Sequence, residues 1–491
     1  MGKAIIVTGD KTLHTNVYTG QPVGDLLKRE GIPFSFPCGG NHTCGKCQVY
    51  IEGDVSPMTE QEKKLLGSAN PGMRLACFCT IMGDVFIKVH NEEANILAKA
   101  AMPDIDMTEK GYGIACDIGT TTVVVRLYKL ESGEVLAERS EENEQKSYGA
   151  DVISRIVSSK GEGLSVLSQL IRNQLERMIS ECMTEASIMQ INKTVITGNT
   201  TMLHIYENLD PSSIAVVPFE TKSLFGELSN YKHMNAEVYI PRCIGAYIGA
   251  DIVCAILASE MLEKDKCALI VDIGTNGEMA LLKNGELICC ATAAGPAFEG
   301  AGLSMGMMAK NGAIDSVVIN NDDVSYTVIG NTEAKGICGS GILDAVYVMK
   351  EKGIIDETGY LEEDFVIGDS KVLVSQNDIR QIQLAKSAIC AGIYTLIHDA
   401  DVSMEEIETL YVAGGFGNHV NMVSATGIGL LPSELLNKIK FIGNGALAGA
   451  SMILLNNDML KKSEEISKKA KELHLSESAY FMDKYIDLMY F

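Results

Sequence analysis

The chain has 491 residues, a length that allows two to four domains and excludes a single small module. Apolar residues make up 46% of the chain and charged residues 21%, which excludes a disordered or fibrous protein. There are 41 Lys and Arg residues against 64 Asp and Glu residues, and the net charge of −23 argues against binding to a nucleic-acid backbone. No leader pattern opens the sequence, and no run reaches the roughly 20 apolar residues of a membrane span, so we expect a cytoplasmic protein without a membrane partner.

The first 92 residues are expected to form a small α+β module. Short apolar or alternating runs, separated by polar and Gly-rich turns, predict strands, and two other stretches predict short helices. In chain order the predicted elements are a strand pair at 3–7 and 14–18, a helix at 24–30, a strand at 48–52, a helix at 59–66 and a strand at 85–89. A loop rich in Cys and Gly, residues 37–47, lies between the first helix and the third strand.

Residues 93–111 contain one Pro, weak periodicity and no strand pattern, so we expect them to form a linker. From residue 112 onward, strand and helix patterns alternate, as in α/β proteins. Two near copies stand in this region, Asp-Ile-Gly-Thr-Thr-Thr at 117–122 and Asp-Ile-Gly-Thr-Asn-Gly at 272–277, each between apolar strand patterns. This duplication predicts two related lobes, 112–265 and 266–491, the second with C-terminal connecting helices, and each lobe offers one hairpin tip.

Three cysteines of the loop, Cys38, Cys44 and Cys47, are close enough in sequence for their thiolates to reach one metal centre. A fourth ligand is expected from the later run Arg-Leu-Ala-Cys-Phe-Cys, which contains Cys77 and Cys79. This spacing resembles the 2Fe-2S ferredoxins, in particular the vertebrate-type and bacterial fused domains, and the resemblance favours Cys77 over Cys79 as the fourth ligand. The alternative is a structural zinc site, which also uses four thiolates but usually pairs two short Cys knuckles. The other nine cysteines lie in apolar contexts and are predicted to be buried.

Both tips have the composition of a phosphate-binding turn. Asp117 and Asp272 each stand at a strand end, where a carboxylate can hold Mg²⁺ largely through water. The Gly that follows lets the backbone approach a phosphate, and the next hydroxyls can donate hydrogen bonds to its oxygens. The residues predicted to contact a nucleotide at the tips are Gly119, Thr120, Thr121, Thr122, Gly274, Thr275, Asn276 and Gly277. A single tip could be a plain hairpin turn, and the sequence has no P-loop motif, so the prediction depends on the pair.

Two later runs extend this pattern. An apolar strand at 410–413 enters Gly414, Gly415 and Phe416, a Gly pair suited to packing against a flat adenine. A strand pattern followed by a helix of small residues, 441–450, is suited to cross closely between the lobes. The order phosphate, phosphate, adenosine and connecting helix resembles the actin, sugar kinase and Hsp70 ATPase superfamily. The resemblance implies a two-lobed ATPase that binds ATP and Mg²⁺ in the cleft between its lobes.

The same resemblance implies an acidic residue shortly before the second tip, where it orients the attacking hydroxyl or water. Asp251 has that position and interrupts an apolar stretch from 243 to 258. A lone Asp in such a stretch is costly unless it is paired or functional. We therefore expect Asp251 to be catalytic together with Asp117 and Asp272. The alternative is that Asp251 only caps the helix that follows it.

Three further runs are typical of one family. They are Ile-Thr-Gly-Asn-Thr-Thr-Met at 196–202, Gly-Pro-Ala-Phe-Glu-Gly-Ala at 295–301 and Gly-Ile-Cys-Gly-Ser-Gly-Ile-Leu-Asp-Ala at 336–345. With the ferredoxin-like module they resemble the ATP-dependent reductive activators of corrinoid proteins, over essentially the whole chain. The resemblance implies that Gly339 and Ser340 contact the nucleotide, and that the partner is a corrinoid protein of a methyltransferase system, returned from Co(II) to Co(I). It also implies an external low-potential electron donor and leaves a homodimer open.

Joining an ATPase to a ferredoxin has a thermodynamic reason in such an activator. Plant-type 2Fe-2S clusters have potentials of about −400 mV. A Co(I) corrinoid is a stronger reductant, and each 59 mV of mismatch costs about tenfold in a one-electron equilibrium, so the step needs the free energy of ATP. Three alternatives stay open: a small-molecule phosphotransferase with a redox-sensing ferredoxin domain, an ATP-driven activator of a different metalloenzyme, and a redox-responsive nucleotide sensor with negligible turnover.

Overall fold

The computed structural model describes residues 2–8, 11–30, 32, 42, 47–66, 72–89, 105–149, 151–320, 323–414 and 420–491. Its first elements are β1 (Gly2–Thr8), β2 (Lys11–Val17), α1 (Val23–Arg29), β3 (Gln48–Val55), α2 (Glu60–Leu66), β4 (Met73–Leu75) and β5 (Ile81–Val89). The strands form one sheet of order β2–β1–β5–β3–β4, in which β1 and β5 are parallel and the other pairs antiparallel. The small α+β module is confirmed. Strand β4 is not predicted from the sequence because three residues are too few for a pattern.

One face of this sheet forms the core of the module. Alternate side chains of β1 and β5, among them Ala4, Ile6 and Ile87, are fully buried, as the two-residue period of a strand requires. They belong to the same apolar cluster as Leu26 and Leu27 of α1. Helix α1 therefore packs on the inner face of the sheet.

The first lobe of the larger region also forms a single sheet. Its elements are β6 (Tyr112–Ile118), β7 (Thr122–Lys129), β8 (Glu134–Glu142), α3 (Val152–Ser158), α4 (Gly163–Glu185), β9 (Lys193–Gly198), α5 (Thr200–Tyr206), β10 (Glu227–His233), β11 (Ala236–Ile240), α6 (Ala250–Ser259) and α7 (Met261–Lys264). The sheet has the order β10–β11–β9–β6–β7–β8. The long helix α4 packs its apolar side on β7 and β8, burying Ile171, Leu175 and Ile179.

The second lobe has one large sheet and two small ones. Its elements are β12 (Cys267–Ile273), β13 (Gly277–Lys283), β14 (Glu286–Thr292), β15 (Ala313–Asn320), β16 (Asp323–Val328), β17 (Gly336–Ile337), α8 (Gly339–Glu351), β18 (Phe365–Val366), β19 (Leu373–Val374), α9 (Gln376–Asp399), β20 (Thr409–Gly414), α10 (Met422–Gly427), β21 (Ile439–Gly443), α11 (Gly445–Leu455), α12 (Asn457–Lys469), β22 (Lys471–Glu472) and α13 (Ala479–Asp487). The sheets have the orders β21–β20–β12–β13–β14–β22, β16–β15–β17 and β18–β19.

The two large sheets repeat one arrangement. In the first, β6, β7 and β8 form an antiparallel meander and β9 runs parallel to β6. In the second, β12, β13 and β14 form the meander and β20 runs parallel to β12. Asp117 and Asp272 occupy equivalent places, each one residue before the end of the first strand. The two-lobed α/β fold with an internal duplication is confirmed.

Helices α6 and α11 pack against each other between the two large sheets. Gly445 and Gly449 of α11 face Ala255 and Cys254 of α6 so closely that a Cβ at either Gly would meet the partner helix. Helix α11 also contacts β6 and β9, although it stands far from them in sequence. The helix of small residues therefore crosses between the lobes as its sequence predicts.

Residues 105–111, the described part of the predicted linker, lie along the two-lobed region without helix or strand. Ile105 and Met107 pack on the apolar cluster around α11, and the Thr108 N–H donates to the Leu455 carbonyl (3.1 Å). Residues 93–104 lie outside the described residues. Within the ranges that the structure describes, no helix combines the length and apolar character needed to cross a membrane.

Candidate functional site

Two thiols of the N-terminal module, those of Cys47 and Cys77, lie side by side with their Sγ atoms 3.3 Å apart. The Ala76 N–H donates to the Cys47 carbonyl (2.8 Å), which holds the turn after β4 against the start of β3. Cys47 is 1% exposed, whereas Cys77 is partly open to solvent. Thiols that converge in this way fit two ligands of one metal centre. The other two predicted ligands, Cys38 and Cys44, lie outside the described residues.

Cys79, the alternative fourth ligand, has a different environment. Its side chain is fully buried in the apolar core of the module. Burial raises the pKa of its thiol to about 11, and the nearby Arg74 guanidinium offsets this only in part. Because the thiol that converges on Cys47 is that of Cys77, the geometry favours Cys77, and the ligand set stays a prediction. The nine cysteines outside the module are all buried, as predicted.

The second candidate site is an open cleft between the two lobes. Both hairpin tips form its walls, with the starts of α5 and α6 on one side and parts of β15, α8 and β20 on the other. A cleft between two lobes, lined by convergent polar side chains and glycines, is a typical place for a small-molecule ligand. The sequence-predicted residues that line it are Asp117, Gly119, Thr120, Thr122, Asp251, Asp272, Gly274, Thr275, Asn276, Gly339, Ser340 and Gly414.

Four predicted residues stand apart from that lining. The Thr121 hydroxyl donates to the Glu299 carboxylate (2.6 Å) beside the cleft. Gly277 begins β13 and packs against the Ile389 side chain. The remaining two, which lie outside the described residues, are Gly415 and Phe416.

The turn at each tip is closed by its own backbone. The Gly119 N–H donates to the Thr122 carbonyl, and the Gly274 N–H donates to the Asn276 carbonyl, both at 3.0 Å. A Cβ at position 119 would lie against the Thr122 carbonyl oxygen, so this tight turn requires Gly. The conformation of both tips is therefore set locally, before any ligand contacts them.

The first tip is also held by two side chains of its own lobe. Arg155 of α3 is fully buried, and its guanidinium donates to the carbonyls of Thr120 and Gly149. Asn199 caps α5 through the Met202 N–H (2.9 Å) and donates its amide to the Thr120 hydroxyl (3.0 Å). The position of Thr120 thus depends on two helices.

Carboxylates crowd the cleft. Burial, above all, raises the pKa of Asp117 to about 7; the Asn444 amide, which donates to its Oδ2 (3.0 Å), opposes this shift, and Asp251 and Glu299 add to it. Burial and the same neighbouring anions raise the pKa of Asp272 well above its usual range. Anions gathered in this way favour a cation. Among the described residues, no three His, Cys, Asp or Glu side chains converge as a metal site by themselves.

Asp251 stands at the second position of α6 and lines the cleft. Its Oδ1 accepts a hydrogen bond from the Ile252 N–H (2.9 Å), and burial raises the pKa of its carboxyl. The structure therefore fits both roles considered for Asp251 in the sequence analysis. The residue contacts the start of its helix, and it also lies in the cleft beside the two tips. Geometry alone leaves its catalytic role a prediction.

Several side chains at this site are missed by the sequence reasoning, and four of them show why. Asn199, Glu299 and Asn444 belong to runs that attract attention in the sequence, but nothing in those runs shows which member reaches the cleft. Arg155 belongs to no motif, because its role depends on how α3 packs beside the first tip. A buried Arg among carbonyl groups is visible only in the folded chain.

Three family models match the chain in succession. They are the 2Fe-2S iron–sulfur cluster binding domain over residues 7–82, the RACo middle region over 112–264 and the C-terminal domain of RACo, the ASKHA domain, over 266–491. The first match covers both Cys47 and Cys77, whose thiols lie side by side, and it identifies their module as an iron–sulfur domain. The other two cover the two lobes that form the cleft.

Relatives and a solved structure agree with these models. The corrinoid activation enzyme RamQ of Eubacterium limosum is 33% identical, with 78% of this chain and 71% of the relative covered. The [Co(II) methylated amine-specific corrinoid protein] reductase of Methanosarcina barkeri is 26% identical, with 74% of each covered. The solved structure of a reductive activator for corrinoid, iron–sulfur protein superposes with a TM-score of 0.73 at 27% identity, over 100% of this chain and 98% of that one. The chain belongs to the RACo family of corrinoid protein activators, which its sequence motifs resemble.

Proposed function

We propose that this chain uses ATP to reduce the inactive Co(II) form of a corrinoid protein to Co(I). The observation that carries the proposal is the union in one chain of an iron–sulfur domain with a two-lobed cleft lined by paired aspartate tips. The named activities of the relatives, corrinoid activation and Co(II) corrinoid protein reduction, support the same substrate class. The reaction adds one electron to the cobalt, and an external low-potential carrier supplies it.

The N-terminal module would hold the redox group. Its proposed ligands are Cys38, Cys44, Cys47 and Cys77, and the 3.3 Å approach of the last two thiols fits that assignment. A bound 2Fe-2S cluster supplies a one-electron carrier. The protein contributes a partly exposed Cys77 at the edge of the module, where a partner can approach, and a buried Cys47 that anchors the site in the core.

The cleft would hold ATP with Mg²⁺. Asp117 and Asp272, which line the cleft from opposite lobes, would hold the metal largely through water, because Mg²⁺ gives up its hydration shell reluctantly. The tips would bind phosphate through backbone N–H groups and hydroxyls, and the nucleoside would lie at Gly339, Ser340 and Gly414, which line the cleft from the second lobe. Asp251 orients the attacking water.

Nucleotide would act on the partner through the lobes. A ligand that contacts both tips favours one angle between the lobes, and the packed pair α6 and α11 between the sheets carries that change through the molecule. The activator then binds the Co(II) partner in one nucleotide state and releases it in another. We also infer a cytoplasmic location, where free cysteines such as those of the two lobes stay reduced.

The test is an anaerobic mixture of the chemically reduced protein, Mg-ATP and a candidate corrinoid protein held as Co(II). We expect the Co(I) absorption band to appear with ATP and to stay at background without it, or with Asp272→Ala. A rate that is equal with and without ATP would contradict the proposal. ATP consumption that needs a small-molecule acceptor and ignores the corrinoid protein would point to a phosphotransferase instead.

A further inference from the structure

Glu299 joins the two phosphate tips across the cleft. Its Oε2 atom accepts hydrogen bonds from the Thr121 hydroxyl of the first lobe (2.6 Å) and the Thr275 hydroxyl of the second. The two hydroxyl oxygens are themselves 2.8 Å apart. One carboxylate oxygen therefore draws together the two loops that are proposed to bind phosphate.

The protons available at this junction are fully used. A threonine hydroxyl carries one proton, so three oxygens at these distances share two protons. Whether each Thr donates directly to Glu299 or one donates through the other, neither hydroxyl has a proton left for a phosphate oxygen. A phosphate can accept hydrogen bonds from these hydroxyls only if their hydrogen bonds to Glu299 break.

Charge makes this exchange competitive. A phosphate bound at the Thr121 and Thr275 hydroxyls would lie next to the Glu299 carboxylate, with Asp117 also nearby. Two anions at such a distance repel strongly in a partly enclosed site. Burial raises the pKa of Glu299, and the hydrogen bonds from Thr121 and Thr275 and the charge of Arg155 oppose this shift. The guanidinium of Arg155 donates to backbone carbonyls of the first lobe. Glu299 and phosphate thus exclude each other at this position.

The phosphate concerned is the terminal one. In the proposed ATP site the nucleoside lies at Gly339, Ser340 and Gly414 of the second lobe, and the polyphosphate extends from there toward the two tips. Thr121 and Thr275 meet between the tips, so a phosphate that binds both hydroxyls is the one at the far end of the polyphosphate. We propose that Glu299 is a latch between the lobes that the terminal phosphate of ATP, and not ADP, displaces. The proposal rests on the proposed ATP site, and it makes Glu299 the residue through which the lobes distinguish the two nucleotides.

The test compares the dissociation constants of Mg-ATP and Mg-ADP in the full-length protein and in Glu299→Gln. Gln keeps the size and one acceptor oxygen but removes the charge that competes with phosphate. We expect ATP to bind about tenfold more tightly in the variant and ADP to change less than about twofold, so the ratio of the two constants shifts. Glu299→Asp, which keeps the charge but is too short to reach both hydroxyls, should shift the ratio the same way by a smaller factor.

Glu278→Gln is the matched control. Glu278 is another acid of the same cleft, but its carboxylate bonds to the Asn276 side chain. We expect this control to leave the ATP-to-ADP ratio unchanged. An equal shift of the ratio in both variants would show a general effect of charge in the cleft. Unchanged or weaker ATP binding in Glu299→Gln would show that Glu299 supports the site or holds the metal. Each of these results overturns the latch. Failure of the wild-type protein to bind ATP would instead overturn the proposed function.

Discussion

The guanidinium of Arg74 and the carboxylate of Glu62 form a two-armed ion pair inside the N-terminal module, with N–O distances of 2.8 and 2.9 Å. Glu62 is 0% exposed, and the same Oε1 atom accepts from the Leu75 N–H (2.9 Å). Arg74 also donates to the Ser56 carbonyl. The pair ties α2 to β4, immediately before the turn that carries Cys77, so it helps to fix the position of that turn.

Glu62→Gln is expected to destabilise the N-terminal module by about 3–5 kcal/mol, because it leaves a buried guanidinium without its counter-charge. The neighbouring pair Glu60 and Lys63 on the same helix is exposed, so Glu60→Gln should cost less than about 1 kcal/mol. Denaturant unfolding followed by the visible absorption of the iron–sulfur domain measures both. Equal losses of unfolding free energy in the two variants would show that the buried pair stabilises the module no more than the exposed pair does.

The serine variants of Cys77 and Cys79 should separate ligand from core residue. Cys77→Ser is expected to lose most of the iron and sulfide, because its thiol converges on that of Cys47. Cys79→Ser should keep the visible spectrum and lose some stability, because it puts a hydroxyl into an apolar core. Iron and sulfide analysis of both purified variants checks this. The opposite pattern would make Cys79 the fourth ligand.

The tips could be found from sequence because their signal is local. Asp117 and Asp272 stand in two near copies, and each copy lies between apolar strands, so one short pattern gives the residue type, the strand end and the turn. The close crossing of α11 is readable for the same reason, since a run of small residues after a strand leaves room for a neighbouring helix.

Partnerships between distant residues are not readable in this way. Glu299 is 178 positions from Thr121, and Arg74 is 12 positions from Glu62, with no periodic pattern linking either pair. Whether Asp251 faces the cleft or only the start of its helix depends on how α6 packs between the sheets. Such contacts are decided by tertiary packing, which a single sequence does not record.

Asp117→Asn should stabilise the nucleotide-free protein at pH 8. Burial raises the pKa of Asp117 from 3.8 to about 7 in the folded protein. A carboxyl whose pKa is higher in the folded than in the unfolded protein contributes most to folding stability at a pH below its unfolded pKa. That contribution is lost as the pH rises from about 4 to about 7. The amide has no proton to lose, so its advantage in melting temperature should be near zero at pH 4 and reach a few degrees at pH 8. Thermal melts across this range test it, and a difference that does not vary with pH would contradict the shift.

Gly449→Ala should weaken the packing of α11 on α6. Alanine favours an isolated helix by about 1 kcal/mol, but here its Cβ would overlap the Cys254 backbone, which cannot move alone. We expect a net loss of about 1–3 kcal/mol and slower ATP hydrolysis. Gly392→Ala in α9 is the control, because the close contacts of its Cβ would be with the flexible end of the Met279 side chain, and Leu475 would lie at an ordinary contact distance. Similar melting temperatures for the two variants would show that the crossing tolerates a methyl group.

Asp251→Asn tests the choice between catalysis and capping. Asparagine can still accept the hydrogen bond that Asp251 takes from the Ile252 N–H, so the start of α6 should survive and the melting temperature should change little. It cannot act as a base toward water, so if Asp251 is catalytic we expect hydrolysis to fall by about 10²-fold or more while the dissociation constant for ATP stays within a few-fold.

Single-turnover and steady-state measurements with the corrinoid partner complete this test. The Asp251→Asn protein should still form its ATP-dependent complex with the Co(II) partner, but it should not sustain repeated rounds of reduction, because release and resetting depend on hydrolysis. Asp251→Ala, which removes both the base and the acceptor, provides the comparison: it should lose activity and also stability. If Asp251→Asn reduces the corrinoid protein at the wild-type steady-state rate, Asp251 serves the start of its helix alone, and the attacking water must be oriented by another residue of the cleft.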